Sequence, residues 1–207
     1  MEEKYKFKTK QKIYLPFKRM LDIFFSLLLI LLLSPLLFIL FIIVLVDTHG
    51  FPVFRQRRIG KNNKEFLILK FRTMNVKTPS DVPTHLLENP DQYITRFGKY
   101  LRKSSLDELP QLFNIFVGHM SFVGPRPALW SQEDLIFKRN EENVDMIRPG
   151  LTGWAQINGR DVISIEKKVR LDKEYLHKFS LGFDIKILFL SVFKTIKEED
   201  VLEGKQS

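Results

Sequence analysis

Residues 23–46 read IFFSLLLILLLSPLLFILFIIVLV, an apolar run in which only Ser26, Ser34 and Pro35 are not apolar and no residue is charged. A run of more than about 18 such residues is typical of a membrane-embedded helix. The run is too long for the apolar region of a signal peptide, and no small-residue cleavage site follows it. It therefore predicts that the chain is anchored in a membrane.

The middle of this run bears on whether the helix crosses the bilayer or returns to the same face. Pro35 has no N–H for the carbonyl of Leu31, which predicts a break, and the Ser34 hydroxyl can bond to the freed carbonyl. Each half of about 11 residues would reach about 16 Å into a hydrocarbon core of about 30 Å. Basic residues flank both ends, which favours keeping both in the cytoplasm. We favour a re-entrant helix-break-helix over a straight span.

Length and charge narrow the class of protein. At 207 residues the chain is long enough for one domain with an anchor, and the absence of cysteine excludes a disulfide-stapled secreted domain. The formal charge of +9 indicates an anionic partner, which could be nucleic acid, acidic lipid or a phosphorylated substrate. Because seven Lys or Arg fall within residues 1–19, we interpret that segment as a basic tether to anionic membrane lipid.

The chemical centre of the sequence is SSLDELPQL at residues 104–112. Two adjacent carboxylates, Asp107 and Glu108, follow Arg102 and precede an apolar helical pattern. Side chains with this spacing share one face of a helix, so the stripe can dock while the acids point away from it. The stripe consists of Leu109, Leu112, Phe113 and Phe116.

The acidic pair also has a purely structural interpretation. Ser105 and Glu108 fit a capping box, in which the glutamate would only close the start of the helix. Pro110 argues against this, because with Ser105 as N-cap the proline would fall past the positions whose N–H groups are unpaired. We therefore predict that the helix starts, or bends, closer to Leu109.

A basic hairpin is predicted between the membrane run and the acidic pair. Strand-like runs at 53–57 and 66–72 flank a turn signal at 60–63. Lys70 and Arg72 lie two residues apart among apolar neighbours, so on a strand they share a face. We expect these two to bind phosphate at a fixed position, whereas the other basic residues of the hairpin contact anionic headgroups.

Two later turns hold arginines in restricted or glycine-rich backbone. Arg126 lies between two prolines, a spacing that suits a pre-placed anion clamp as well as it suits a turn with a solvated arginine. Residues 148–160 combine Arg148 and Arg160 with three glycines that let backbone amides approach a ligand. Trp154 in this segment can stack on a base or lie at the membrane interface. The usual nucleotide-binding spacings are absent.

The remaining segments say less about chemistry. Residues 132–143 predict a mixed-charge helix with a solvated face, and residues 77–93 predict a surface loop with a short helical piece. Residues 183–196 predict an amphipathic helix that lies in the membrane interface or packs on the core. His119 and His177 lack metal-ligand spacing and are assigned no ligand role.

Four motifs in this order resemble those of the bacterial sugar transferase family, the small monotopic phosphoglycosyl transferases that begin surface-glycan assembly. They are KFRTM at 70–74, LRKSSLDELPQL at 101–112, MSFVGPRP at 120–127, and RPGLTG with NGR at 148–160. The resemblance covers nearly the whole chain, from about Lys18 to Ile196. His119 departs from it, since relatives usually carry an acid at that position.

The resemblance implies transfer of a phosphosugar from a UDP-sugar to polyprenol phosphate (undecaprenyl phosphate), with release of UMP and a requirement for Mg²⁺. It makes Asp107 the nucleophile, through a covalent phosphosugar-aspartyl intermediate, and a metal ligand, with Glu108 as its acidic partner. A carboxylate is a weak nucleophile toward an anionic diphosphate, so a divalent cation and arginines must offset the repulsion. The implied substrate contacts are Lys70, Arg72, Arg102, Arg126, Arg148, Thr152 and Arg160.

These patterns together predict a mainly α fold with a small β-hairpin (α+β). We expect a tether at 1–19, a re-entrant membrane hairpin at 20–48 broken at Ser34-Pro35, a cytosolic catalytic domain at 49–200 with amphipathic interfacial helices, and a tail at 201–207. The expected location is the cytoplasmic face of the bacterial inner membrane, and the sequence is compatible with a homodimer.

Two rival functions fit parts of the sequence. A Mg²⁺-dependent pyrophosphatase acting on nucleoside diphosphates would use Asp107 only as a metal ligand. A membrane-bound nucleic-acid adaptor would use the positive charge, but it lacks a recognised binding motif and leaves the acidic pair without a role. We therefore predict no nucleic acid among the partners.

Overall fold

The structure, a computed structural model, describes residues 5–76, 78, 92–159 and 163–197. Arg160, most of the predicted loop at 77–93 and the tail at 201–207 lie outside the described residues. The helices are α1 (Thr9–Thr48), α2 (Arg96–Lys103), α3 (Gln111–Val117), α4 (Glu133–Glu141), α5 (Trp154–Ile157), α6 (Ile165–Lys178) and α7 (Leu181–Lys197). The strands are β1 (Val53–Ile59), β2 (Glu65–Phe71), β3 (Ser121–Val123) and β4 (Gly150–Thr152). The predicted mainly helical fold with a small hairpin is confirmed.

The membrane run lies within α1, a single 40-residue helix. Where the sequence predicted a break between two helices, the helix continues through Ser34 and Pro35. The Ser34 hydroxyl donates to the carbonyl of Leu31 at 2.8 Å, as expected, and so replaces the N–H that Pro35 lacks. Within the described ranges, α1 is the one helix long and apolar enough to cross a membrane.

Helix α1 packs against the rest of the chain along most of its length. Its residues take part in three apolar clusters: one with α6 and α7, one with β2 and α3, and one with α2 and the end of β2. Burial of apolar side chains therefore holds both halves of the membrane run on the same domain. The α1 residues involved are Tyr14, Leu15, Leu29, Ile30, Leu33, Leu36, Leu37, Leu40, Phe41 and Val44.

The segment predicted as a basic tether, residues 1–19, contributes the start of α1 and specific contacts. Gln11 is buried and donates from Nε2 to a backbone carbonyl of α6 at 2.8 Å. The Tyr14 hydroxyl donates to Asp184 of α7 at 2.8 Å, and Lys18 forms an ion pair with the same carboxylate. This segment is therefore part of the folded domain from residue 5 onward.

Two charged residues just before the apolar run attach α1 to α3 and β3. Arg19 donates to the carbonyls of Ile115 and Phe116, at the C-terminal end of α3, at 2.6 and 2.7 Å. Asp22 is buried, and its Oδ1 accepts hydrogen bonds from the Ser121 hydroxyl and a backbone N–H of β3, each at 3.1 Å. These bonds fix both the rotation and the height of α1 against the domain.

The predicted hairpin is confirmed, with β1 and β2 antiparallel and Gln56 opposite Ile68. Helix α3 packs on β2 through Asn114, whose side chain imitates a neighbouring strand. Its Oδ1 accepts from the Leu69 N–H at 2.9 Å, and its Nδ2 donates to the Leu67 carbonyl at 2.8 Å. The amide thereby occupies edge groups of β2 that would otherwise need water.

The buried face of α3 differs from the predicted stripe. Leu112 and Ile115 are buried together with Asn114, whereas Phe113 and Phe116 are 43% and 37% exposed. Leu109 and Leu112 of the predicted stripe pack inward, but its two phenylalanines do not, and the polar Asn114 could not be assigned to the core from spacing alone. Its hydrogen bonds to β2 decide which face docks.

Strands β3 and β4 form a parallel pair on which α6 and α7 pack. A Cβ at Gly150 would lie 2.1 Å from the backbone nitrogen of Gly124. The two backbone segments can approach this closely because both residues are glycine. Helix α7 buries Ile187 against this layer. Its other side exposes Ile185, Leu188, Phe189, Val192 and Phe193.

We expect Asp22→Ala to lower the melting temperature in detergent micelles, because two donors of β3 would be left unpaired. The free energy of unfolding should fall by about 1–3 kcal/mol. Asp22→Asn, which keeps one acceptor oxygen, is the matched control and should retain most of the stability. Equal melting temperatures for Asp22→Ala and wild type would show that these bonds do not hold α1.

Candidate active site

The acidic pair lies in a short 3₁₀ turn, Leu106–Glu108, between α2 and α3. The structure forms no capping box: Ser105 adopts a left-handed backbone (φ 56°) and makes no side-chain cap. Pro110 takes the N-cap position, so α3 begins at Gln111, close to the predicted start. Neither acid is needed to close α3, which leaves both for other contacts.

The two carboxylates have different surroundings. Glu108 accepts a hydrogen bond from Lys70 Nζ at 2.6 Å, and Arg126 lies 3.6 Å from the same oxygen. Asp107 is buried, and its carboxylate accepts no hydrogen bond from any part of the chain that the structure describes. Glu108 is thus held in place, while Asp107 is available to react.

Three cations from three different elements surround the pair. Lys70 comes from β2, Arg102 from α2, and Arg126 from the turn after β3. The electrostatic influence of all three acts on Asp107. The sequence predicted each of them as a phosphate contact, and the structure brings them together around Asp107.

Arg102 is placed by a contact that the sequence analysis missed. Its Nε donates to the hydroxyl of buried Thr73 at 2.9 Å. Helix α2 can come this close because a Cβ at Gly98 would lie only 2.2 Å from the Thr73 carbonyl oxygen. The motif that contains Thr73 was recognised, but nothing in the spacing indicated that its hydroxyl holds an arginine.

The pKa of the Asp107 carboxyl is raised from 3.8 to about 6, because burial and, to a lesser extent, the charge of Glu108 outweigh the opposing effect of Lys70, Arg102 and Arg126. Desolvation disfavours the charged form and is the largest cause. The carboxylate is therefore ionised at neutral pH but poorly solvated. This combination suits a nucleophile.

The other predicted substrate contacts lie apart from the acids. Arg72 donates from Nε to the carbonyl of Phe51 at 3.0 Å, and Arg148 donates to the carbonyl of Gly118 at 2.9 Å. Arg148 lies beside Arg19 and Lys61, and burial together with the charge of Arg148 lowers the pKa of both of those side chains. These contacts place Arg148 at the C-terminal end of α3, whereas the acids precede its N-terminal end.

The glycine-rich segment after Arg148 packs on the protein itself. The Thr152 hydroxyl hydrogen-bonds with Ser191 of α7 at 2.5 Å. Trp154 donates from Nε1 to Glu174 at 2.9 Å and contacts the ring of Phe183 at 5.1 Å. A base-stacking or substrate role for Thr152 and Trp154 stays a prediction.

The acids present could supply only some of the ligands of a magnesium ion, and Mg²⁺ in proteins typically takes only one or two carboxylates. In the described ranges of the chain, no three His, Asp or Glu side chains come together. Mg²⁺ is typically bound by one or two carboxylates and completed by substrate phosphates and water. Asp107 is the carboxylate that remains for it. His119 lies against the ring of Phe66, 5.5 Å between centroids, beyond the C-terminal end of α3.

The raised pKa of Asp107 predicts that its ionised form destabilises the fold. The folded state prefers the neutral carboxyl, so this preference stabilises the protein at low pH and is lost as the pH rises through about 6. Asp107→Asn should therefore have a higher melting temperature than wild type at pH 7.5. Its free energy of unfolding should be higher by at most about 3 kcal/mol, and this gain should shrink toward pH 4.

The measurement is the melting temperature in micelles between pH 4 and 8. Asp134→Asn, which removes an exposed carboxyl of α4, is the control and should follow the wild-type curve. A lower melting temperature for Asp107→Asn at pH 7.5 would contradict the costly burial of this charge.

Comparison with known proteins identifies the family of the chain. The bacterial sugar transferase family model matches residues 13–198. A UDP-glucose:undecaprenyl-phosphate glucose-1-phosphate transferase of Escherichia coli (strain K12) is 41% identical over 184 residues, 86% of this chain and 39% of that protein. An uncharacterized sugar transferase, EpsL, of Bacillus subtilis (strain 168) is 44% identical over 166 residues, 79% of this chain and 80% of that protein.

A third relative is the UDP-N-acetylgalactosamine-undecaprenyl-phosphate N-acetylgalactosaminephosphotransferase of Aeromonas hydrophila. It is 35% identical over 190 residues, 89% of this chain and 44% of that protein. The chain thus spans about two fifths of the length of the Escherichia coli and Aeromonas relatives and four fifths of the Bacillus one. The family match covers most of the chain, and the protein belongs to the bacterial sugar transferase family.

Proposed function

We propose that this protein transfers a phosphosugar from a UDP-sugar to undecaprenyl phosphate and releases UMP, as the first membrane step of surface-glycan assembly. Support comes from relatives named for this kind of transfer. The observation that carries the proposal is Asp107, a buried carboxylate that accepts no hydrogen bond from the described residues and lies among Lys70, Arg102 and Arg126. A structural acid would be expected to be bonded.

In the first step, a carboxylate oxygen of Asp107 attacks the β-phosphorus of the UDP-sugar. The bond from that phosphorus to the bridging oxygen breaks, and the electron pair leaves with UMP. The product is a phosphosugar joined to Asp107 as an acyl phosphate. Arg102 and Arg126 are suited to offset the charge of the diphosphate, and Lys70 donates a hydrogen bond to Glu108.

In the second step, a phosphate oxygen of the lipid attacks the same phosphorus. The bond to Asp107 breaks, which restores the carboxylate and leaves a diphosphate between lipid and sugar. The reaction needs no oxidant, reductant or added proton carrier. Both steps use one side chain, so a soluble donor and a membrane acceptor need not bind at the same time.

Asp107 is the residue that would hold Mg²⁺. Bound there, the ion would neutralise phosphate charge and act as a Lewis acid toward the phosphoryl oxygens. The protein supplies one or two oxygen ligands, so the remaining ones must come from water and from the diphosphate itself.

We further propose that α1 bends at Pro35 in the membrane, so that it enters and leaves the bilayer on the cytoplasmic side of the inner membrane. Both halves of the apolar run pack on the domain that carries Lys70 and Arg102. A straight crossing would pull these charged elements into hydrocarbon, at high cost. The exposed apolar side chains of α7 fit a helix that lies in the interface.

The family match does not choose the sugar. Relatives are named for glucose, for galactose and for N-acetylgalactosamine. A panel of these UDP-sugars, with and without N-acetyl groups, is therefore the substrate set for any test.

We expect incubation with the correct UDP-sugar and Mg²⁺, without lipid acceptor, to add one sugar phosphate to the intact mass of the protein and to release one UMP. Peptide mapping should place the adduct on Asp107. Asp107→Asn should form no adduct and should lose at least about 10³-fold in turnover, as expected for loss of a covalent nucleophile. EDTA should stop both adduct formation and turnover.

Two outcomes would contradict the transferase mechanism. Release of UMP together with free sugar phosphate and no adduct would indicate a pyrophosphatase instead. Tight binding of RNA or DNA at physiological salt, with no UMP from any donor, would favour a nucleic-acid adaptor. The exposed Asp134→Asn variant serves as the matched control for the loss of a carboxyl.

The re-entrant arrangement predicts that both ends of α1 stay inside the cell. The chain contains no cysteine, so single cysteines at exposed Lys10 and Lys64 report on their own surroundings. Neither should react with a membrane-impermeant maleimide in intact spheroplasts, and both should react after lysis. Labelling of one of the two before lysis would establish a crossing helix.

A further inference from the structure

We propose that Arg139 and Asp172 are positioning residues for Arg126: the buried ion pair between α4 and α6 fixes the backbone on which the active-site arginine stands. The inference rests on the proposed function, since it assigns Arg126 a role toward the UDP-sugar. The sequence had predicted a solvated face for α4, and neither residue belonged to a recognised motif. Both lie outside the group of charges around Asp107.

The turn that carries Arg126 has few backbone N–H groups through which it can be anchored. Pro125 and Pro127 have no N–H groups, so the peptide unit between Arg126 and Pro127 can be anchored only through the carbonyl oxygen of Arg126. Pro125 O accepts from the Gly150 N–H at 2.9 Å, and Pro127 O accepts from Arg58 at 3.0 Å. Backbone of β4 and a side chain of β1 thus hold the two proline carbonyls.

The carbonyl of Arg126 itself is held by Arg139. Its NH1 donates to Arg126 O at 2.8 Å. The same guanidinium donates from Nε and NH2 to one oxygen of Asp172, at 2.9 and 2.6 Å. Asp172 is 1% and Arg139 8% exposed. The planar fork of the arginine reaches both partners at once, which a lysine cannot do.

A role in stability alone accounts poorly for this pair. The desolvation of two buried charges consumes most of the energy of their attraction, so such pairs contribute little net stability and are usually replaceable by apolar residues. The surrounding packing is apolar already, with Leu135 and Val169 in the same interface between α4 and α6. What an apolar pair could not supply is the donor for Arg126 O.

Only three contacts connect Asp172 to the acidic pair. Asp172 fixes Arg139, Arg139 fixes the peptide of Arg126, and the guanidinium of Arg126 lies 3.6 Å from Glu108. Displacement of the turn would move the guanidinium relative to the diphosphate while leaving Asp107 intact. Loss of the Arg139 contact should therefore act only through Arg126.

A double-mutant cycle tests this. R139K keeps the charge beside Asp172 and should lower kcat/KM for the UDP-sugar about tenfold, the size expected for one charged hydrogen bond. In an R126A background the same change should have an effect of less than about twofold, because the group it positions is gone. Adduct formation on Asp107 should slow in parallel.

The matched control is E166Q, which removes the exposed Lys138–Glu166 ion pair between the same two helices. It should leave kcat/KM unchanged in both backgrounds. If R139K does not fold, the apolar double replacement R139M/D172L keeps the volume of the pair and should show the same loss and the same dependence on Arg126. Melting temperatures identify any variant that is merely unfolded.

The outcomes separate the two proposals. Effects of R126A and R139K that multiply, or full activity in R139M/D172L, would overturn the positioning role while leaving the transferase intact. A wild-type protein that releases no UMP from any UDP-sugar would overturn the proposed function first, and the positioning role with it.

Discussion

The attachment of α1 through the charged side chains before its apolar run is the constraint on which the other elements depend. An apolar helix has no preferred rotation in an apolar environment, because each of its faces is equally soluble there. Lys18, Arg19 and Asp22 break that symmetry, since they bind partners on α7, α3 and β3, respectively. These bonds lie at the start of the apolar run. They set the position of α3 along α1 and, with it, the position of the acidic pair along α1.

The same constraint explains how a charged site can form beside a membrane segment. The cations around Asp107 come from β2, α2 and the turn after β3, and each of these elements packs on α1 or on an element next to it. No local stretch could supply the arrangement. Burial of Asp107 disfavours its ionised form, so the packing that forms the site makes the negative charge of Asp107 unfavourable for stability. Sites that work against stability in this way are typical of catalytic groups.

Sequence reasoning succeeded where a feature depends on neighbours along the chain. The hairpin, the start of α3 near Leu109 and the bond from Ser34 to the Leu31 carbonyl all follow from local rules about proline, turns and period. It failed where a polar side chain is buried by a distant partner. Asn114 enters the core because β2 offers an edge, and Arg139 is buried because Asp172 of α6 receives it. Such pairs are 33 to 47 residues apart, and nothing in either residue's own surroundings marks it as buried. The glycines of the 148–160 segment were interpreted as openings for a ligand, yet Gly150 approaches Gly124 of the protein.

The division of labour between Asp107 and Glu108 follows from charge. Lys70, Arg102 and Arg126 face two carboxylates, which leaves a single positive charge toward a diphosphate that carries two negative ones. For the proposed reaction, in which the nucleophile is itself an anion, this charge is too small, and a bound divalent cation would offset the remaining repulsion. In the proposed mechanism Glu108 is not the nucleophile, because Lys70 already binds its carboxylate. That mechanism therefore gives the bond to phosphorus to Asp107, which accepts no hydrogen bond from the residues that the structure describes.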